Sequence, residues 1–140
     1  MNPGHEPGGM GLTYARIRVS KDGRGKSVSV RTLVDTGATS TMLPRTILES
    51  LGVEPSRTIR IRLGDGRLTE RDLGPAFVRY GKHGAWTQIL FGEPGDATVL
   101  GALTLEELWL QVDRRSRRLR EVKVALMVPQ VPTGYEAPGP

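Results

Sequence analysis

The chemistry available to this chain narrows quickly. It has no cysteine and only two histidines, His5 and His83. Thiol nucleophiles, thiolate zinc sites and disulfide frameworks are therefore excluded, and a histidine zinc centre or a Ser-His-Asp arrangement is poorly supplied. Both histidines sit in Gly-rich or hairpin-like surroundings and read as ordinary exposed side chains. What remains is a carboxylate. The stretch Leu33-Val34-Asp35-Thr36-Gly37-Ala38 ends an apolar run with an acid, a hydroxyl and a glycine, just before a turn into a helix. A carboxylate at the end of a buried strand is costly unless it is hydrogen-bonded or functional. Taken alone, the tripeptide serves equally well to open a turn.

Short β-like runs surround this segment. Thr13 to Val19 puts Ala15, Ile17 and Val19 on one face, and Ser27 to Val34 does the same for Val28, Val30 and Val34. Lys21-Asp22-Gly23-Arg24-Gly25 between them has hairpin-loop chemistry. Ile59, Ile61 and Leu63 alternate with Arg60 and Arg62. Gly64-Asp65-Gly66 then reverses the chain before Leu68 to Tyr80, and a third hairpin at Gly81 to Gly84 leads into Trp86 to Phe91. All three connections are expected to be antiparallel. Two helices are expected. One begins at Pro44, runs through Ile47, Leu48 and Leu51, and stops at Gly52. The other spans Leu103 to Trp109, with Leu105, Leu108 and Trp109 inward and Glu106 and Glu107 in water.

Residues 1–10 hold three glycines and two prolines and read as a disordered arm. Residues 129–140 carry four prolines and read as an extended tail. One folded domain, 11–128, lies between. At 140 residues the chain is the length of a single domain. No apolar stretch reaches the roughly 20 residues a membrane span requires, and no secretory signal is apparent, so a cytoplasmic location without membrane contact is expected.

The net charge of +5 permits binding to an anionic partner without demanding it. Arg114, Arg115, Arg117, Arg118 and Arg120 lie between Leu110-Gln111-Val112 and the alternating Leu119, Val122 and Val124. They read as the charged turn and outer faces of a β-hairpin. Without aromatic interleaving, nucleic acid is not an expected partner. Trp86 and Trp109 fall in periodic apolar segments and read as core or interface residues.

Taken in order, four features resemble the retropepsin-like aspartic proteases. They are the apolar strand entering Asp35-Thr36-Gly37-Ala38-Thr39-Ser40, the run Met42-Leu43-Pro44 to Leu51-Gly52-Val53, the hairpin Ile59 to Tyr80 containing Asp65-Gly66, and Val99-Leu100-Gly101 entering a helix. Leu100-Gly101-Ala102-Leu103 through Leu110-Gln111-Val112-Asp113 is similar to bacterial members in particular. The resemblance implies a mainly β, closed retropepsin-like barrel with a flap hairpin and two short helices, active as a two-fold homodimer. It implies Asp35 as the catalytic carboxylate, facing its symmetry mate. Thr36 ties the two loops together, Gly37 allows their close approach, and Ala38 matches the small residue that follows. Thr39 and Ser40 could bond the loop or simply start a turn. Leu63, Gly64, Asp65 and Gly66 fall where the flap is expected, with less glycine than in the retroviral flap.

Two carboxylates held within about 3 Å share one proton, so the ionised member can activate water while the protonated one donates to the scissile carbonyl. That chemistry requires neither metal nor organic cofactor. The implied activity is an aspartic endopeptidase acting on a peptide or protein substrate. The alternative is a non-catalytic, dimeric peptide-binding or interaction module on the same fold.

Overall fold

Apolar alternation determines the first hairpin. Along β2 (Thr13–Ser20) Ala15, Ile17 and Val19 are buried while Arg16 and Arg18 face outward. The chain reverses at Gly23 and Gly25, both with positive φ, and returns as β3 (Ser27–Asp35), with Thr13 opposite Val34. Ahead of them β1 (His5–Glu6) pairs antiparallel with β2, so two residues of the N-terminal arm lie in strand geometry. This computed structural model describes residues 5–6, 11–123, 132–134, 136 and 138–139. The rest of the arm, the domain limit at residue 128, Val124 and much of the Pro-rich tail lie outside the described residues.

After the Asp35 turn come β4 (Thr41–Pro44) and α1 (Arg45–Ser50). Pro44 precedes the first helical residue, and Gly52, at φ 79°, takes the left-handed turn that ends the helix. The long hairpin is β5 (Arg57–Arg62) and β6 (Leu68–Tyr80), followed by β7 (His83–Gly92). All three expected hairpins are antiparallel. The parallel pairings have no local signal in the sequence. β8 (Val99–Gly101) lies parallel to β3, and β4 lies parallel to β7.

Strand order closes the barrel: β2-β3-β8-β4-β7-β6, with β6 pairing back onto β2 through Arg18 opposite Arg79 and Val19 opposite Val78. Six strands therefore form the ring, which removes most exposed sheet edge. Ile17, Leu43, Ile89, Phe91 and Leu100 fill its interior together with Leu48 of α1. A smaller apolar cluster, Met42, Leu73 and Leu90 with Ile59 and Ile61, lies under the base of the long hairpin.

α2 (Ala102–Glu107) buries Leu105 and packs Leu108 just beyond its end. Trp109 departs from the expected inward position. The helix stops before it, and its φ of 58° turns the chain, leaving the indole 54% exposed. Trp86 is likewise exposed, on the outer face of β7, rather than in the core. His83 is partly buried at the start of β7. The arginine run forms the expected hairpin. β9 (Leu110–Asp113) pairs with β10 (Arg118–Glu121), with Leu119 buried and Arg114, Arg115, Arg117 and Arg120 exposed. Among the described residues no helix is long and apolar enough to cross a membrane.

Candidate active site

Three strands place the Asp35 loop. β3 delivers Asp35 opposite Gly101 of the parallel β8, and β4 leaves the loop to pair with β8 at Met42 and Val99. Residues 36–40 therefore cross directly over Gly101. A side chain there is impossible without moving backbone, since a Cβ would sit 2.5 Å from the Ser40 carbonyl carbon and oxygen and 3.0 Å from the Ala38 oxygen. The loop is also bonded to the start of α2, as Ala102 N donates to Ala38 O (2.8 Å) and Leu103 N to Thr39 O (3.1 Å).

Beneath the loop runs a buried chain of hydroxyls. Gly101 N donates to Thr41 Oγ1 (3.0 Å), Thr41 donates to Thr104 Oγ1 (2.6 Å), and Thr104 and Thr87 share a third bond (2.9 Å). Polar groups this deep persist only when paired. Their hydroxyls join β4, β7, β8 and α2 under the turn that carries Asp35. Nothing local in the sequence marks Thr41, Thr87 and Thr104 as a group. The available signal was a threonine at a buried position of each apolar segment.

Asp35 itself is exposed, which corrects the expectation of a buried acid. The strand is buried as far as Val34, and the chain then turns outward, so the carboxylate avoids desolvation in the single protomer. Its Oδ1 accepts the Gly37 N–H at 2.9 Å, and Ala38 N donates to the Asp35 carbonyl (3.1 Å). A Cβ on Gly37 would lie 3.2 Å from that same Oδ1, so the glycine keeps space beside the carboxylate. Thr36 is exposed at the tip of the turn.

A cleft of about 630 Å³ opens from the loop. Asp35, Gly37, Ala38, Thr39 and Ser40 form one side, and Ile61, Arg62, Leu63 and Gly64 of the long hairpin form the other. Leu33, Met42, Leu90, Ala97 and Val99, which are scattered along the chain, supply a largely apolar wall. Of the expected flap residues, Leu63 and Gly64 meet the cleft, whereas Asp65 and Gly66 lie beyond its lining. The hairpin tip is closed on itself. Asp65 accepts from Arg67 Nε (2.7 Å) and from the Arg67 N–H (3.0 Å), while Arg62 Nη1 donates to Gly66 O (2.8 Å). The Arg67 N–H first, then its guanidinium, holds the Asp65 carboxyl below the ordinary carboxylate range.

Ion pairs fix the hairpin base and the wall loop, residues 93–98. Arg71 of β6 grips Asp96 with two bonds (2.7 and 2.9 Å), and Asp96 also accepts the Glu93 N–H (2.8 Å). Both side chains are nearly buried, and the Arg71 guanidinium draws the Asp96 carboxyl below its usual range. Arg45, at the start of α1, joins Asp72 and Glu93 at 2.7 Å each. Among the described residues no group of three or more His, Cys, Asp or Glu side chains is placed to hold a metal ion.

Residues 17–83 match the family described as aspartyl protease. No curated protein is detectably similar in sequence. Among solved structures, the EIAV protease complexed with the inhibitor HBY-793 superposes with a TM-score of 0.56 at 18% identity, over 74% of this chain and 93% of that one. The Simian Foamy Virus (mac) protease matches with a TM-score of 0.46 at 20% identity, over 65% of this chain and 91% of its own. A retropepsin-like aspartic protease from Rickettsia conorii matches with a TM-score of 0.47 at 21% identity, over 73% and 76%. The matched segment, just under half of the chain, carries Asp35 and is similar to the aspartyl protease family, and the chain has the retropepsin-like fold.

Proposed function

We propose that the chain is an aspartic endopeptidase acting as a homodimer, with the Asp35 carboxylates of the two protomers meeting at the two-fold axis. The observation that carries this reading is a half-site. Each chain has a single Asp-Thr-Gly, and its carboxylate stands exposed at an apolar cleft faced by a hairpin. One exposed acid supplies no second protonation state, whereas two within about 3 Å share a proton and titrate as a pair.

In the dimer the ionised Asp35 takes a proton from water as the water oxygen bonds to the scissile carbonyl carbon. The protonated Asp35 gives its proton to the carbonyl oxygen, producing a tetrahedral diol with no acyl-enzyme. Collapse returns one proton to the dyad, and the other goes to the departing nitrogen as the C–N bond breaks. The Gly37 N–H fixes the plane of the carboxylate that does this, through its bond to Oδ1. Thr36, exposed at the turn, is the hydroxyl that reaches the neighbouring loop. Leu63 and Gly64 close over the peptide and exclude water.

Joining two copies through a flexible linker tests the dyad, because one copy can then be altered alone. With Asp35→Asn in one copy, the linked dimer should fold, and it should lose nearly all peptidase activity. Half the activity surviving would mean that each Asp35 works in an independent site.

A further inference from the structure

Arginines face one another on the outer wall of the barrel. Arg16 lies opposite Arg31 across β2 and β3, and Arg18 lies opposite Arg79 across β2 and β6. Like charges in directly opposed positions destabilise a sheet, which makes the Arg18–Arg79 pair costly without an anion between them. Among the described residues neither Arg18 nor Arg79 has a carboxylate in salt-bridge range, and both are exposed.

The second pair borders a formed pocket. Arg18 directs Nε and Nη2 at Ser27 Oγ (3.2 and 3.1 Å), which holds its guanidinium plane and leaves further N–H donors free. Arg79 stacks over Phe77, 5.2 Å from the ring centroid, and Phe77 meets Trp86 edge-on at 5.6 Å. Two glycines admit that ring, since a Cβ on Gly23 would lie 3.2 Å from it and one on Gly84 only 2.9 Å. The surface pocket, about 90 Å³, is lined by Arg18 and Arg79 together with Ser20, Ser27 and Phe77. That is room for a carboxylate or phosphate group between the two arginines.

We propose that Arg18 and Arg79 form an oxyanion site that takes a carboxylate from an acidic segment of a polypeptide substrate, outside the catalytic cleft. The inference rests on the peptidase reading for the identity of that polypeptide. Position favours a chain over a free ion. On the outward face of β3 and β2, the Leu33–Tyr14 pair adjoins the cleft, Arg31–Arg16 comes next, and Ser29–Arg18 follows. Two same-face steps separate cleft and pocket, about 13 Å, or roughly four extended residues.

The test uses the full chain with Asp35→Asn, so that nothing is cleaved, and the anisotropy of a labelled hexaglutamate peptide. The peptide should bind at least tenfold more tightly than hexaglutamine. R18Q/R79Q should weaken it at least tenfold, and the charge-matched control R114Q/R115Q less than twofold. R18Q alone, at an exposed position, should give part of the loss if the double variant folds poorly. No binding of hexaglutamate, or equal loss in the control, overturns the proposal. So does displacement of the peptide by equimolar inorganic phosphate, or preference for a hexathymidylate strand. With Asp35 restored, a peptide carrying glutamates about six residues from the scissile bond, since Asp35 lies two residues beyond Leu33 on β3, should show a raised KM and an unchanged kcat in R18Q/R79Q. Absence of any cleavage would refute the peptidase reading and leave the binding result standing.

Discussion

Replacing Thr41 with valine keeps the shape of the side chain and removes one hydroxyl from the buried chain under the active-site loop. Thr41 is fully buried, and its oxygen accepts the Gly101 N–H while its proton goes to Thr104. The variant leaves the Gly101 N–H without an acceptor in a place water does not reach. An orphaned buried donor costs about 1–3 kcal/mol. Thr87→Val is the comparison, because it removes only the outer bond to Thr104 and strands no backbone group, for a cost of about 1 kcal/mol. In a domain of this size 1 kcal/mol corresponds to roughly 4 °C in Tm, so Thr41→Val should fall by about 8 °C and Thr87→Val by about 4 °C. Urea unfolding at a fixed protomer concentration, with unchanged m values, is the measurement, since the proposed dimer would make stability concentration-dependent. Thr41→Val should also lower kcat more than Thr87→Val, because Gly101 supports the loop behind Asp35. Equal costs for the two variants, or a cost below about 0.5 kcal/mol for Thr41→Val, would refute the role given to this chain.

Asp96→Asn should destabilise the protein by roughly 2–3 kcal/mol at neutral pH, because it breaks the two-bonded grip of Arg71 on the wall loop. The folded Asp96 carboxyl lies below its unfolded value, so this stabilisation is present above the ordinary carboxylate range and is lost as pH falls through the lowered folded value. Thermal melts of wild type and variant should converge at strongly acidic pH, and a gap that stays constant would contradict the assignment. Hydrogen exchange at Leu63 and Gly64 should slow when a peptide inhibitor binds, since these residues face Asp35 across the cleft. Unchanged protection there would remove the hairpin from substrate binding.

Local chemistry made much of the protein legible from its sequence. Period-two alternation gave β2, β3 and the long hairpin, because each strand has one face on the barrel interior. Pro44 and Gly52 bounded α1, since one suits a helix start and the other takes a left-handed φ. Asp35-Thr36-Gly37 was readable as a strand that ends in a turn with a carboxylate on it. Other features depend on residues far apart in the chain. Ring closure through β2 and β6, the parallel pairings of β8 and β4, and the passage of residues 36–40 over Gly101 have no local signature. Trp109 followed the helical period in sequence, and the turn after Glu107 put it in solvent. Asp35 ends a buried strand, yet the tertiary turn exposes it to water and directs it toward the cleft. The amino-acid order determines which face of each element is apolar. Only packing decides which elements meet, because that choice depends on summed burial and on pairing every enclosed polar group, such as the hydroxyls of Thr41, Thr87 and Thr104.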